Sequence, residues 1–316
     1  MRLILRRLVQ LVLVLILVTA GAFLLIKARG SDPTDSIIPF GTPEQKAALR
    51  EDLGLDKPLY EQYWDWLTGF VTGDLGRSYD TQRPVSDLAS EALPVSLQLM
   101  VYAQLLALIV AIPLGVLTAY RSGTLTDRGI NAGAFAFLAV PNFVLGLVLT
   151  YYIGAKYKLL PAGGYVKFGD DPVEHIRSMI LPTVALATGQ IAIYMRLLRS
   201  DMIATLQENF ITMARAKGIT SRRILWRHAL RPSSLTLLTV AGLNVGTLIG
   251  GAVVIEVIFS LPGIGSLLYQ AITQSQFVML QSLVALIAIF YVVLNFLVDF
   301  LYAVLDPRIR NERAAA

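Results

Sequence analysis

Cysteine is absent from the 316 residues, and only two histidines, His175 and His228, are present. Disulfides, thiolate metal centres, iron–sulfur clusters and cysteine nucleophiles are therefore excluded, and a multi-histidine metal site lacks donors. The chain contains no H-E-x-x-H, no G-x-S-x-G and no G-x-x-x-x-G-K-[ST] phosphate loop. It thus lacks the usual signatures of metalloproteases, serine hydrolases and ATP-binding loops. Charge is scarce too. Lys, Arg, Asp and Glu make up 16% of the chain, where a soluble domain carries roughly 25%. With 55% hydrophobic residues and a mean hydropathy of +0.62, an ordinary cytosolic enzyme is ruled out. No catalytic residues, no metal and no cofactor are expected. The net charge of +5 suits nucleic acid or a membrane surface, and its distribution decides for the membrane.

A helix needs about 20 apolar residues to cross a hydrocarbon core of roughly 30 Å. Six stretches meet or approach that length: 8–26, 92–120, 129–155, 178–195 (continuing past Arg196), 232–255 and 283–305. Asp299 is the only charged residue in any of them. Its place near the end of the last stretch suits an interfacial or paired structural carboxylate. The first stretch follows Arg2, Arg6 and Arg7 and contains Ala20-Gly21-Ala22, the outline of a signal peptide. Its 19 residues exceed a usual signal core, so an uncleaved span is expected. The fold class is an all-α polytopic membrane protein with six transmembrane helices.

Orientation follows from the Lys/Arg bias of the loops. The N-terminus, the loop around Arg121 and Arg128, residues 196–231 and the C-terminal tail hold 16 of the 27 Lys/Arg against five acids. The loop 28–94 has six Lys/Arg and 12 Asp/Glu, and residues 261–281 have no basic residue. Both termini are expected in the cytoplasm. The chain divides into a tail with the first helix (1–27), an external subdomain (28–94), a five-helix core (95–305) and a cytoplasmic tail (306–316).

Two regions outside the spans carry more than connection. In the external segment, Thr42-Pro43 followed by Gln45 is a helix N-cap pattern. Tyr60, Tyr63, Trp64 and Trp66 suit a membrane interface or contact with a ligand or partner. In the cytoplasmic segment 196–231, Phe210, Ile211, Ala214 and Ile219 mix with Arg215, Lys217, Arg222 and Arg223. A short helix ending near Gly218, then a second containing Ile224, Leu225 and Trp226, fits that pattern. Positive-inside bias accounts for the charge but not for a compact apolar helix, which points to a docking surface.

Ala214-Arg215-Ala216-Lys217-Gly218, nine residues, then His228-Ala229-Leu230-Arg231-Pro232 resembles the cytoplasmic signature of binding-protein-dependent ABC importer permeases. This copy lacks the opening glutamate of the general form and carries Arg231 where an apolar or small residue is common. Leu53-Gly54-Leu55-Asp56-Lys57-Pro58-Leu59, Gly73-Asp74-Leu75-Gly76-Arg77-Ser78, Pro161-Ala162-Gly163-Gly164, Phe259-Ser260-Leu261-Pro262-Gly263 and Leu305-Asp306-Pro307-Arg308 resemble the first membrane subunit of the dipeptide/oligopeptide/nickel branch. The likeness covers nearly the whole chain. Gln276-Phe277-Val278 stands where that branch has an Asp-Tyr-Pro-like stretch.

The resemblance implies a type I ABC importer permease fold in the bacterial inner membrane. It also implies half of a translocation pathway, a second homologous permease, two cytosolic ABC ATPase subunits and an extracytoplasmic substrate-binding protein. The implied cargo is a peptide, with a nickel chelate or glutathione-like solute as alternatives; nucleic acid is not a partner. A membrane sensor or scaffold is the competing function. Few ionisable residues lie inside the spans, which disfavours a proton relay, so energy must come from the partner ATPases and the chain itself is not an enzyme. Ala214, Arg215, Ala216, Lys217 and Gly218 would form the coupling helix in the ATPase groove, and His228 would support the cytoplasmic elbow. Arg215 and Lys217 have an equal claim as lipid-headgroup anchors. Gly242, Gly246 and Gly250 recur every four residues and permit close helix packing, inside this subunit or toward the second permease. Pro113 and Pro141 are static kinks or hinges.

Overall fold

The computed structural model describes residues 2–28, 33–38 and 40–305. The tail 306–316 lies outside the described residues, as do the side chains of Arg2, Arg6, Arg7 and Asp299. The helices are α1 (Arg2–Ala28), α2 (Pro33–Ile37), α3 (Pro43–Asp52), α4 (Leu59–Thr72), α5 (Val85–Tyr120), α6 (Leu125–Ala139), α7 (Asn142–Leu149), α8 (Pro172–Leu206), α9 (Asn209–Ala216), α10 (Ser221–Arg223), α11 (Leu230–Ile258), α12 (Ile264–Thr273) and α13 (Phe277–Leu305). A π-helical turn, Thr150–Lys156, extends α7, and another, Ile224–Ala229, joins α10 to α11. Among the described residues, four helices are long and apolar enough to cross a membrane: α5, α8, the continuous Ser221–Ile258 and Phe277–Val298. The bent pair of α6 and α7 makes a fifth.

The chain forms two compact units, one from the residues up to Ser96 with Pro262–Val293, the other from Leu97–Leu261 with the residues from Leu294 on. In the first, Thr42 caps α3: its hydroxyl accepts from Gln45 N–H (3.3 Å), and Gln45 Oε1 accepts from Thr42 N–H (2.9 Å). Pro43 at the first helical position costs no hydrogen bond. The core of this unit joins Val85, Ala89 and Ala92 of α5 to Ile264 and Ala271 of α12 and to Met279 and Leu283 of α13. Ile264 N–H, an orphan donor at the start of α12, donates to Ser96 Oγ (2.9 Å). The motif at residues 73–78 is also explained here. Gly76 has φ +78°, and a Cβ there would lie 2.2 Å from Val278 Cγ1. Only glycine accepts both constraints.

The aromatics of residues 60–66 divide. Tyr63 packs on Phe23 of α1 and on Trp66, with ring centroids 5.7 and 5.9 Å apart. The Tyr63 and Thr19 hydroxyls lie 2.9 Å apart, and Trp66 Nε1 donates to Ser282 Oγ (3.1 Å). Tyr60 and Trp64 are exposed. Two of the four thus fasten α4 to α1 and α13, and two face outward.

In the second unit α8 is the central helix, burying Leu186, Tyr194, Met195, Leu198 and Met202 almost completely. Asp171 caps it, accepting from Val173 and Glu174 N–H at 2.9 and 3.0 Å, and Pro172 follows at the first position. Polar groups bond inward: Tyr194 donates to Gln104 Oε1 (3.1 Å), and Gln190 Nε2 to Thr247 Oγ1 (3.1 Å). Large apolar side chains such as Leu105, Ile109, Leu147 and Leu243 point outward. That inversion is what a lipid solvent selects.

The stretch 129–155, expected as one span, is two helices bent by 95°. Pro141 is the cause. It holds Val140 in an extended conformation (φ −88°, ψ 120°), because the proline ring clashes with a helical predecessor. Pro113, by contrast, lies inside the unbroken α5. The helix α5 also begins at Val85, so the expected boundary at 94 falls within it.

Candidate coupling surface

The segment 196–231 is built from the end of α8, the short α9 and the π-helical entry to α11. Helix α9 holds on by one face: Ile211 is fully buried and Ala214 is 8% exposed. The other face presents Phe210 (48% exposed) and Met213 (59%) to the surroundings, followed by exposed Arg215, Ala216 and Lys217. Two large apolar side chains beside two cations on a short helix form an amphipathic face that is uncovered among the described residues. Gly218 ends the helix with φ +73°. Its N–H donates to Arg215 O (2.9 Å) and Ile219 N–H to Ala214 O (3.2 Å), so the last carbonyls are satisfied by a left-handed turn. A Cβ at Gly218 would touch nothing within 4 Å. The glycine is required by its backbone angle rather than by space.

Beyond Gly218, Thr220 precedes α10, and Ile224 and Ala229 of the π-helical turn are buried. His228 sits half-buried in that turn, while Arg222, Arg223, Trp226 and Arg227 are exposed. The Ser233 and Thr205 hydroxyls lie 2.9 Å apart, tying the end of α8 to the start of α11. The helix break near Gly218 expected from the residues is therefore present, at Ala216.

Close to this segment lies an ion pair that residue patterns did not disclose. Arg199 of α8 donates from Nε and Nη2 to the two carboxylate oxygens of Asp127 in α6, both at 2.7 Å. Asp127 is 3% exposed and also accepts from Asn131 Nδ2 (2.7 Å) and Gly123 N–H (2.9 Å). Arg196 stacks over the Phe135 ring, 4.2 Å from its centroid. Both arginines read in the sequence as positive-inside charges. Only the chain's path brings positions 127 and 199 together.

The glycine row of α11 does not share one environment. A Cβ at Gly242 would lie 2.6 Å from Val298 Cγ1, within this chain, whereas one at Gly250 would meet nothing within 4 Å. Gly246 is buried. A second close contact is at Gly251, outside the row, where an added Cβ would lie 2.8 Å from Leu186 Cδ1 and 3.9 Å from Asn142 Nδ2. Gly189 of α8 faces the same Asn142 (Cβ to Oδ1 3.3 Å). The amide following the Pro141 break is thus lodged between two glycines on two helices. A proline–asparagine step opposite unspaced glycines offered no periodic signal for this.

Comparison with known proteins follows the same outline. Residues 111–311 match the family described as binding-protein-dependent transport system inner membrane component, and residues 1–100 match its N-terminal region. A peptide transport system permease protein of Brucella abortus is 38% identical over 311 residues, 98% of this chain and 99% of that protein. The oligopeptide transport system permease protein AppB of Bacillus subtilis is 36% identical over 310 residues, covering 97% and 98% of the two chains. The dipeptide transport system permease protein DppB of Escherichia coli is 36% identical over 295 residues, 86% and 87% respectively. With its apolar helices and inward-bonded polar groups, the chain is a multi-pass protein of the bacterial inner membrane. It belongs to the family of binding-protein-dependent transport system inner membrane components.

Proposed function

We propose that this chain is a membrane permease subunit of an ATP-driven peptide importer, contributing half of the pathway and coupling it to cytosolic ATPases through α9. The observation that carries the reading is the exposed face of α9, with Phe210 and Met213 outward and Ile211 and Ala214 anchored. The relatives named as peptide, oligopeptide and dipeptide permeases supply the cargo class. Six crossings with both termini cytoplasmic complete the architecture. The 27 residues of α1, at about 1.5 Å each, are long enough for a core of roughly 30 Å. The bent α6–α7 pair would be the third crossing. Ala216 and Lys217 would enter the ATPase groove, Arg215 would border it, and His228 would brace the elbow behind. Gly250 would face the second permease. The external segment 28–94 would fold over the entrance and meet the substrate-binding protein. Pro141 would be a fixed break rather than a moving hinge.

The test is uptake and ATPase co-purification for Gly218→Pro and Ala216→Trp. Proline cannot adopt φ +73°, and tryptophan overfills the small-residue edge. Both variants should reach the membrane and lose coupled transport. Normal uptake with both would remove α9 as the coupling element.

A further inference from the structure

A cavity of about 770 Å³ opens within the first unit, well inside the 300–1,000 Å³ of small-molecule sites. Its wall carries three basic and four acidic side chains, together with aromatic rings. Some of this charge is already matched. Lys57 Nζ donates to Asp65 (2.7 Å), and Asp74 accepts from Gly76 N–H (2.9 Å). Arg77 lines the wall with five N–H donors, of which one is given to Gln82 O (3.2 Å). Glu51 and Asp52, at the end of α3, line it as well.

The decisive group is Gln281 of α13. It lines this cavity, it is 5% exposed, and its Nε2 has no acceptor among the described residues. A buried amide donor left unmet is costly, so Gln281 Nε2 calls for an acceptor. Trp66 Nε1 is committed to Ser282 Oγ (3.1 Å), so that side chain offers the cavity its ring rather than a donor. Amide and guanidinium donors, carboxylates and an aromatic wall together suit a small dipolar solute with a carboxylate, an ammonium and an apolar side chain.

We propose that this cavity binds a short free peptide, its C-terminal carboxylate on Gln281 Nε2 and Arg77 and its ammonium on the acids at Glu51 and Asp52. The choice of a peptide among dipolar solutes rests on the importer reading above. The site is built from residues of the first unit, none of them in the coupling segment. It would hold cargo outside the membrane core without the binding protein.

The experiment uses the complete transporter complex in nanodiscs, without its binding protein. Radiolabelled trialanine, trialanine amide and N-acetyl-trialanine are titrated by equilibrium dialysis. Trialanine should bind saturably, and the amide at least about tenfold more weakly, since a charge-assisted acceptor is lost. In Gln281→Leu, trialanine should weaken by a similar factor, and the preference for the free carboxylate should shrink. Arg77→Gln supplies the same comparison if Gln281→Leu fails to assemble. Absent saturable binding, equal affinity for trialanine and its amide, or binding unchanged in both variants would each overturn the site. Uptake of trialanine by the complex with its binding protein is measured in parallel. Loss of the site with normal uptake leaves the importer standing, whereas absent wild-type uptake refutes the importer reading itself.

Discussion

Replacing Arg199 by methionine is the most searching perturbation of the second unit. Asp127 is 3% exposed and would keep only Asn131 and Gly123 as partners. Breaking a buried pair by removing one partner costs about 3–5 kcal/mol, because the remaining charge is uncompensated. The surviving donors hold the cost near the lower end, about 3 kcal/mol, or roughly a 150-fold shift in the folding equilibrium. The partner change Asp127→Asn should cost less, since the guanidinium, with 27% of its side chain exposed, can turn toward water. The double variant should recover most of the loss, as replacing a buried pair by neutral groups is often close to neutral. The assay is a double-mutant cycle on denaturant or heat inactivation of the purified complex, where the coupling energy should exceed about 2 kcal/mol. Single costs that simply add, to within about 0.5 kcal/mol, would mean that the pair is not holding α6 to α8.

Adjacent glycines of α11 should behave oppositely: Gly251→Leu, aimed at Leu186 and Asn142, should destabilise the chain by about 1–3 kcal/mol. Gly250→Leu should leave the chain stable while weakening assembly with the second permease, as read by co-purification. Replacing residues 42–53 by a Gly/Ser linker should impair uptake and binding-protein affinity while basal ATPase activity survives; if neither changes, the segment is a spacer. Burial pushes the Tyr79 phenol up to about 12, against a backbone hydrogen bond to Val278 that works the other way. The neutral phenol's contribution is complete below about pH 10 and is lost as pH rises from 10 toward 12. Tyr79→Phe should therefore move the alkaline unfolding midpoint of the complex upward, and an unchanged midpoint would refute that assignment.

Local chemistry was readable where a short pattern has one physical meaning. Thr42-Pro43 with Gln45 led to a capping box, and Gly218 after a small-residue run led to a helix stop. The break at Pro141 was underread, because nothing charged interrupts residues 129–155. The damage comes from the conformation imposed on Val140, which hydropathy does not register. The first turns of α5 lie ahead of the apolar stretch 92–120 for the converse reason: Asp87 and Glu91 make a helix look like loop. The spacing of Gly242, Gly246 and Gly250 named a face, but the row drifts by about 80° over eight residues at 3.6 per turn, so its ends meet different neighbours. Pairs such as Asp127 with Arg199, or Gln104 with Tyr194, lie 72 and 90 positions apart. No window along the chain can join them.

The π-helical turn at Ile224–Ala229 gives the junction between α10 and α11 a spare residue. Such a turn is an α-helix holding one residue too many, so deleting a residue there lets ordinary hydrogen bonds close up while everything downstream keeps its heading. A deletion inside α11 has no such slack and would swing each later side chain by about 100°, carrying Gly251 away from Asn142. Single deletions should therefore be forgiven at this one junction and nowhere else along the 38 residues of Ser221–Ile258. A scan of single deletions, scored by membrane abundance and uptake, would reveal the junction as a gap in an otherwise intolerant stretch.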